Sequence, residues 1–131
     1  MIVLKSNLLP FGNNENTSNK MVTIKAKKRE IKCPVTGMLQ LIGGKWKPVI
    51  LYCLRSEKRR FGEISARIPD LSRKVLTEQL KELEEDGLLT RTQFNEIPPR
   101  VEYELTDLGK SLSPVLDEME KWGMENIIGK Q

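Results

Sequence analysis

Apolar residues recur along the second quarter of the chain at intervals of three and four. Val35, Met38, Leu39 and Ile42 occupy the i, i+3, i+4, i+7 positions of one helix face, which predicts a helix from Pro34 that Gly43 and Gly44 stop. In "KWKPVILYCLRS" the residues Trp46, Val49, Ile50, Cys53 and Leu54 repeat that spacing, so a second helix is expected, with Cys53 packed on its buried stripe as a small hydrophobe. A basic segment, "EKRRF", precedes a short helix "GEISARI", in which Ile64 and Ile68 can face the core with Phe61 just before them. The turn residues "PDLS" follow, and Ser72 is a helix-start signal because its hydroxyl can accept from free N–H groups of the first turn. The helix expected over Ser72 to Asp86, "SRKVLTEQLKELEED", buries Leu76, Leu80 and Leu83. It leaves Arg73, Lys74, Thr77, Glu78 and Lys81 on the outer side, and Gly87 ends it.

The period then changes from helical to two. "LLTRTQF" and "RVEYELT" alternate like half-buried strands, and the prolines of "NEIPP" mark the tip between them. Val101, Tyr103 and Leu105 are expected to face inward and Glu102 and Glu104 outward, where Arg91 could pair with one of the acids across the strands. The last segment, "TDLGKSLSPVLDEMEKWGMENI", reads as a long helix capped by Thr106 and kinked or broken at Pro114. Leu108, Leu112, Val115, Leu116, Met119 and Trp122 lie along one side of it. Two short helices, a tight turn, a longer helix and a hairpin make a winged helix-turn-helix, mainly α with a small β-hairpin. A domain this small has little core left for so many large residues in its last helix, so the surplus points to a homodimer.

Charge sharpens this picture at one place. A helix macrodipole favours acids at the N-terminus and bases at the C-terminus, yet Arg73 and Lys74 open the helix from Ser72 and "ELEED" closes it. A local rule broken in this way is expected where function asks for it, and a cationic first turn can be aimed at an anion. Recognition helices read base edges in the major groove with their N-terminal residues. Arg100, in a wing over Asn95 to Arg100, is placed to touch a phosphate or the minor groove.

Composition narrows the classes. The chain has 131 residues, enough for one domain and a tail: a basic arm over 1–32, a domain over 33–128 and a short tail over 129–131. Lys and Arg number 22 against 18 Asp and Glu, a formal +4 that favours polyanionic partners. Two distant cysteines and no histidine exclude the usual zinc sites and every Ser-His or Cys-His catalytic arrangement. No catalytic residue, metal or cofactor is expected, and the protein is not read as an enzyme. No run approaches the roughly 20 apolar residues of a membrane span, so a cytoplasmic protein that binds no membrane is expected.

The stretches "CPVTGMLQLIGGKWKPVILYCL", "FGEISARIPDLSRKVLTEQLKELEEDGLLTR" and "PPRVEYELTDLGKSLSPVLDEMEKWG" resemble the HxlR-type winged-helix transcriptional regulators of bacteria, from Cys33 to about Ile127. The resemblance implies a MarR-like homodimer that binds a double-stranded DNA operator and has no enzyme activity. Its recognition-helix positions correspond to Ser72, Arg73, Lys74 and Thr77, with Lys81 further along the same side and Arg100 in the wing. Flanking helices would form the dimer interface through Val35, Leu39, Leu112, Leu116, Met119 and Trp122. Some members respond to quinones, aldehydes, hypochlorite or disulfide stress through a cysteine at the position of Cys33. A small reactive or oxidising effector is therefore an expected partner, although packing is an equal role for this thiol. Pro34 at the first helical position would leave Cys33 at the N-cap, where the dipole and Lys32 favour a thiolate. The alternative is a winged helix used for protein contacts without specific DNA binding.

Overall fold

The computed structural model describes residues 32–129, so the basic arm expected over 1–32 lies, but for Lys32, outside the described residues, as does most of the expected tail. Residues up to Gly44 and residues from Lys45 onward form separate compact units. The first contains helix α1 (Pro34–Ile42), with Pro34 in its first turn, Cys33 at the N-cap and Gly43 at the C-cap. Of the apolar face expected here, Ile42 is buried, with Leu41 beside it, whereas Val35 and Leu39 are 65% and 62% exposed.

The second unit runs α2 (Lys47–Leu54), β1 (Arg59–Arg60), α3 (Phe61–Arg67), α4 (Arg73–Glu85), β2 (Leu89–Phe94), β3 (Arg100–Leu105), α5 (Asp107–Lys110) and α6 (Ser113–Gly123), then a π-helical turn over Met124–Ile128. It is a winged helix-turn-helix, with α3 and α4 as the helix pair and the β2–β3 hairpin as the wing. In α2 the buried residues are Ile50, Leu51 and Leu54. Cys53 is only half-buried and Val49 is exposed, which corrects the expected stripe. The run "VILYCL" has no polar face, and α2 is packed by α3, α4, α6 and β3, so periodicity could not say which side would be covered most.

Helix α4 forms as its punctuation predicts. The Ser72 hydroxyl accepts from the Val75 N–H at 3.1 Å. At the other end Gly87 takes φ +81, a conformation that side-chain-bearing residues avoid, while the Leu88 N–H donates to the Leu83 carbonyl and the Gly87 N–H to that of Glu84. Those two bonds are the Schellman arrangement that closes a helix. Leu76, Leu80 and Leu83 are all at most 1% exposed, anchoring the helix to the core by one face.

The sheet has three strands in the order β1-β3-β2, all antiparallel. Strand β1 was not expected, because two arginines carry no alternation and their ladder partners, Tyr103 and Glu102, lie over forty positions away. Register also overturns the expected Arg91–glutamate pair. Arg91 stands opposite Tyr103, and Thr90 and Thr92 stand opposite Glu104 and Glu102. Directly opposed residues share a face, so Arg91 faces away from both acids and its guanidinium instead meets Gln93 Oε1 at 3.4 Å.

The last segment is two helices, broken at Ser111 and Leu112, just before Pro114 in the first turn of α6. Thr106 caps α5 by accepting from the Gly109 N–H at 3.0 Å and donates its own hydroxyl hydrogen to the Gly87 carbonyl at 2.7 Å. That second bond ties α5 to the turn that ends α4. Helix α6 is held to α2 by Arg55 Nε to Asp117 Oδ1 at 3.0 Å and by the Tyr52 hydroxyl to Glu120. No described helix is long and apolar enough to cross a membrane.

Because Leu80 sits 1% exposed in this core, Leu80→Ala should lower the unfolding free energy by about 2–5 kcal/mol. Gly87→Ala should cost about 1–2 kcal/mol through its left-handed backbone. Urea denaturation checks both, and a change under 0.5 kcal/mol for Leu80→Ala would contradict the described packing.

Candidate nucleic-acid interface

The buried leucine face of α4 fixes its rotation, so its remaining side chains must face solvent. Ser72, Arg73, Lys74, Thr77, Glu78 and Lys81 are all exposed. The first turn contains no acid and the last turn no base, the reverse of what the macrodipole favours. Part of the acidic end serves the fold, since Glu82 takes the largely covered Lys47 of α2 at 2.7 Å. The cationic end has no such duty: Arg73 and Lys74 form no ion pair among the described residues.

These side chains are differently prepared. The Arg73 guanidinium lies 4.6 Å from the Phe61 ring centre, a cation–π contact that steadies the side chain. The Ser72 oxygen is engaged as the cap, although its own hydrogen remains to donate. The Thr77 hydroxyl donates back to the Arg73 carbonyl at 2.8 Å and keeps its lone pairs for an incoming donor. Lys74 and Lys81 are exposed and form no ion pair among the described residues.

Arg100 is placed otherwise than its residue type suggested. It lies at the foot of the wing, stacked 4.0 Å from the Phe94 ring centre. Its guanidinium pairs with Glu96 at 2.9 Å, while Nε stands 3.2 Å from Glu102 Oε2 without hydrogen-bond alignment. Lys58 reaches the same Glu102 at 3.5 Å. Arg100 thus spends its charge within the wing. Arg60, which sequence reasoning did not single out, is exposed beside the wing: the adjacent pair "RR" ahead of "FGEI" forms a two-residue strand that turns its side chains to opposite faces.

Apolar residues left outside the core form a second feature. On α6, Val115, Met119 and Trp122 are 43%, 52% and 62% exposed, and Met124, Ile127 and Ile128 continue the face. Val49, Tyr52, Met119, Met124 and Ile128 line an open apolar groove of about 370 Å³ between α2 and α6. Leu112 is half-buried, but Leu116, expected to face a partner, is only 3% exposed. It belongs to the core of its own chain because α6 packs on α2 through it. On α1, Val35 and Leu39 present an apolar face of their own.

Both described cysteines are free thiols. Around Cys33, at the N-cap of α1, the N–H and hydroxyl of Thr36 and the N–H of Val35 stabilise the thiolate and pull the pKa below the ordinary thiol value. No hydrogen bond of full cap geometry is formed. Partial burial does the opposite to Cys53 and raises its pKa.

The chain matches the model of the HxlR-like helix-turn-helix family over residues 41–131. It is 46% identical to the HTH-type transcriptional regulator YdeP of Bacillus subtilis (strain 168), itself uncharacterised, over 91 residues that make up 70% of this chain and 71% of that protein. The solved structure of the redox regulator HypR in its oxidised form superposes with a TM-score of 0.69 at 42% identity, covering 72% of this chain and 97% of that one. The reduced form of the transcriptional regulator YodB from B. subtilis gives 0.63 at 36% identity, over 74% and 96%.

The opposite shifts of the two thiols make a measurable contrast. Only the thiolate attacks iodoacetamide, so at pH 7 Cys33 should be alkylated well before Cys53, and its rate should rise at a pH below that of an ordinary thiol. Mass spectrometry of timed reactions reads the order, and faster labelling of Cys53 would contradict it.

Proposed function

The chain belongs to the HxlR-like helix-turn-helix family, and from that premise we propose that it is a sequence-specific DNA-binding transcriptional regulator acting as a homodimer. The single observation that carries this reading is the uncompensated cationic first turn of α4. Arg73 and Lys74 stand where the local dipole disfavours them, without acid partners among the described residues, at the end of the helix that this motif offers to the major groove. Arg73 and Lys74 are assigned to DNA, with Ser72, Thr77 and Lys81 beside them, and the wing over Asn95 to Arg100 follows the backbone or minor groove. Arg100 shapes that wing. The relatives matched are regulators rather than enzymes.

Homodimerisation is supported by the exposed Met119 and Trp122 of α6, with Leu112 at its start, and by Val35 and Leu39 of α1. A monomer has no use for so many large apolar side chains in water, and a two-fold dimer would present two α4 helices to two half-sites. A second reading concerns Cys33. Its lowered pKa, together with the likeness to a regulator named for redox response, favours this thiol as the point where an oxidant or electrophile acts.

One set of measurements tests these assignments. Purified protein should sediment as a dimer and select specific fragments from fragmented genomic DNA. On a selected fragment Arg73→Ala combined with Lys74→Ala should weaken binding by about 10- to 100-fold; unchanged affinity would remove α4 from the interface. Failure to bind any duplex at low salt would favour a protein-contact role instead. If Cys33 is the trigger, oxidant should release DNA from the wild type and leave Cys33→Ser bound, whereas equal release from both would exclude it.

A further inference from the structure

A groove of about 390 Å³ separates the wing from the beginnings of α3 and α4. Arg60, Phe61, Gly62 and Arg73 line one side, and wing residues between Glu96 and Val101 line the other. Its charged groups are not equivalent. Glu96, the carboxylate on the wing wall, is held by Arg100 at 2.9 Å. Glu102, opposite Arg60 in the ladder, is already taken by Lys58 and Arg100. Arg59 is spent on Glu57 at 3.3 Å and on the Cys53 carbonyl at 2.8 Å. Arg60 differs from its neighbour: it is exposed, and among the described residues its guanidinium has neither an ion pair nor a hydrogen bond. The nearby Glu63 carboxylate accepts from the Arg60 backbone N–H at 2.8 Å. Arg60 and Arg73 are therefore the two groove arginines without an acid.

Gly62 lies between them in sequence and lines the same groove. It occupies an ordinary helical position, and nothing lies within 4 Å of where a Cβ would be. Glycine is a poorer helix former than alanine, so neither backbone conformation nor crowding inside the chain asks for it here. What the missing side chain provides is clearance on the groove side for something from outside. Two uncompensated guanidinium groups beside that clearance select an anion, and Arg presents the planar fork that suits phosphate.

We propose that Arg60, Gly62 and Arg73 form a contact for the DNA sugar-phosphate backbone, separate from the base-edge contacts of α4. A phosphate enters beside Gly62, Arg60 and Arg73 neutralise it, and the wing, braced by Arg100 on Phe94, Glu96 and Glu102, closes the far side. This rests on the DNA-binding reading above. Such a contact positions the protein and carries no sequence information of its own.

The test uses the full chain and a duplex that the wild type binds, with a scrambled duplex beside it. Arg60→Ala should weaken both complexes by a similar factor, about fivefold at moderate salt, and reduce the slope of log K against log salt by about one. Gly62→Ala should leave the melting temperature unchanged or raised, because alanine favours the helix, yet weaken DNA binding by about fivefold or more. The combination of equal or higher stability with lower affinity is one that a purely structural glycine would not give. Unchanged affinity and salt slope in both variants, while Arg73→Ala with Lys74→Ala still weakens binding by about 10- to 100-fold, would overturn this contact and leave the DNA-binding reading intact. A lowered melting temperature for Gly62→Ala would overturn the clearance assignment, and failure of the wild type to bind any duplex would overturn both readings.

Discussion

The buried leucine face of α4 is the constraint on which the rest of the second unit depends. Leu76, Leu80 and Leu83 are almost wholly removed from water, and burial of side chains this size contributes about 1.5–3 kcal/mol each. Their spacing allows one rotation of the helix, and that rotation puts Arg73, Lys74, Thr77 and Lys81 outward. The ends are equally determined. The Ser72 cap fixes where the helix begins, the Gly87 turn fixes where it stops, and Leu88 and Leu89 are buried immediately afterwards to start the wing. The Thr106 hydroxyl then ties the far end of the hairpin back to Gly87. Recognition helix and wing are thus held to one short turn, so their relative placement follows from local bonds.

Charge is distributed by a division of labour. Six acids of the second unit pair with cations that brace the fold: Glu82 with Lys47, Asp117 and Glu120 with Arg55, Glu57 with Arg59, and Glu96 and Glu102 with Arg100. Exposed pairs of this kind contribute little to stability, about 0–1 kcal/mol each. Their effect is to leave the cations at the start of α4, and Arg60 beside them, without intramolecular neutralisation. The formal +4 of the chain does not report this arrangement, because Lys and Arg balance Asp and Glu over residues 32–131 and the excess lies in residues 1–31. Phosphate neutralisation by such cations gives affinity that falls steeply with salt.

Apolar surface is divided in a similar way. Along α6, Leu116 goes to the chain's own core while Met119 and Trp122 remain outside, so one continuous stripe serves two purposes. Water-exposed residues of that size, continued by Met124, Ile127 and Ile128, form the kind of contiguous apolar surface that marks an interaction site. The same helix is fastened to α2 through Tyr52 and Arg55.

The sequence by itself determined the features whose causes are local. The cap at Ser72, the leucine stripe of α4, the stop at Gly87, the proline-marked wing tip and the inverted charge of the recognition helix are all written within a few residues of where they act. What only tertiary structure decided depends on partners distant in the chain. Strand β1 exists because β3 pairs with it, and Arg91 faces away from the glutamates because ladder register is a property of two strands. Cys53 is half-buried because an all-apolar helix gives no signal about which side its neighbours will cover. That Arg100 stacks on Phe94 and meets Glu96 and Glu102 within the wing is likewise decided by packing and not by residue type. Arg60, which looked like one of a run of basic residues, is left free by the same packing. Residue type sets what a side chain can bind; the packed neighbours decide whether that capacity is already used.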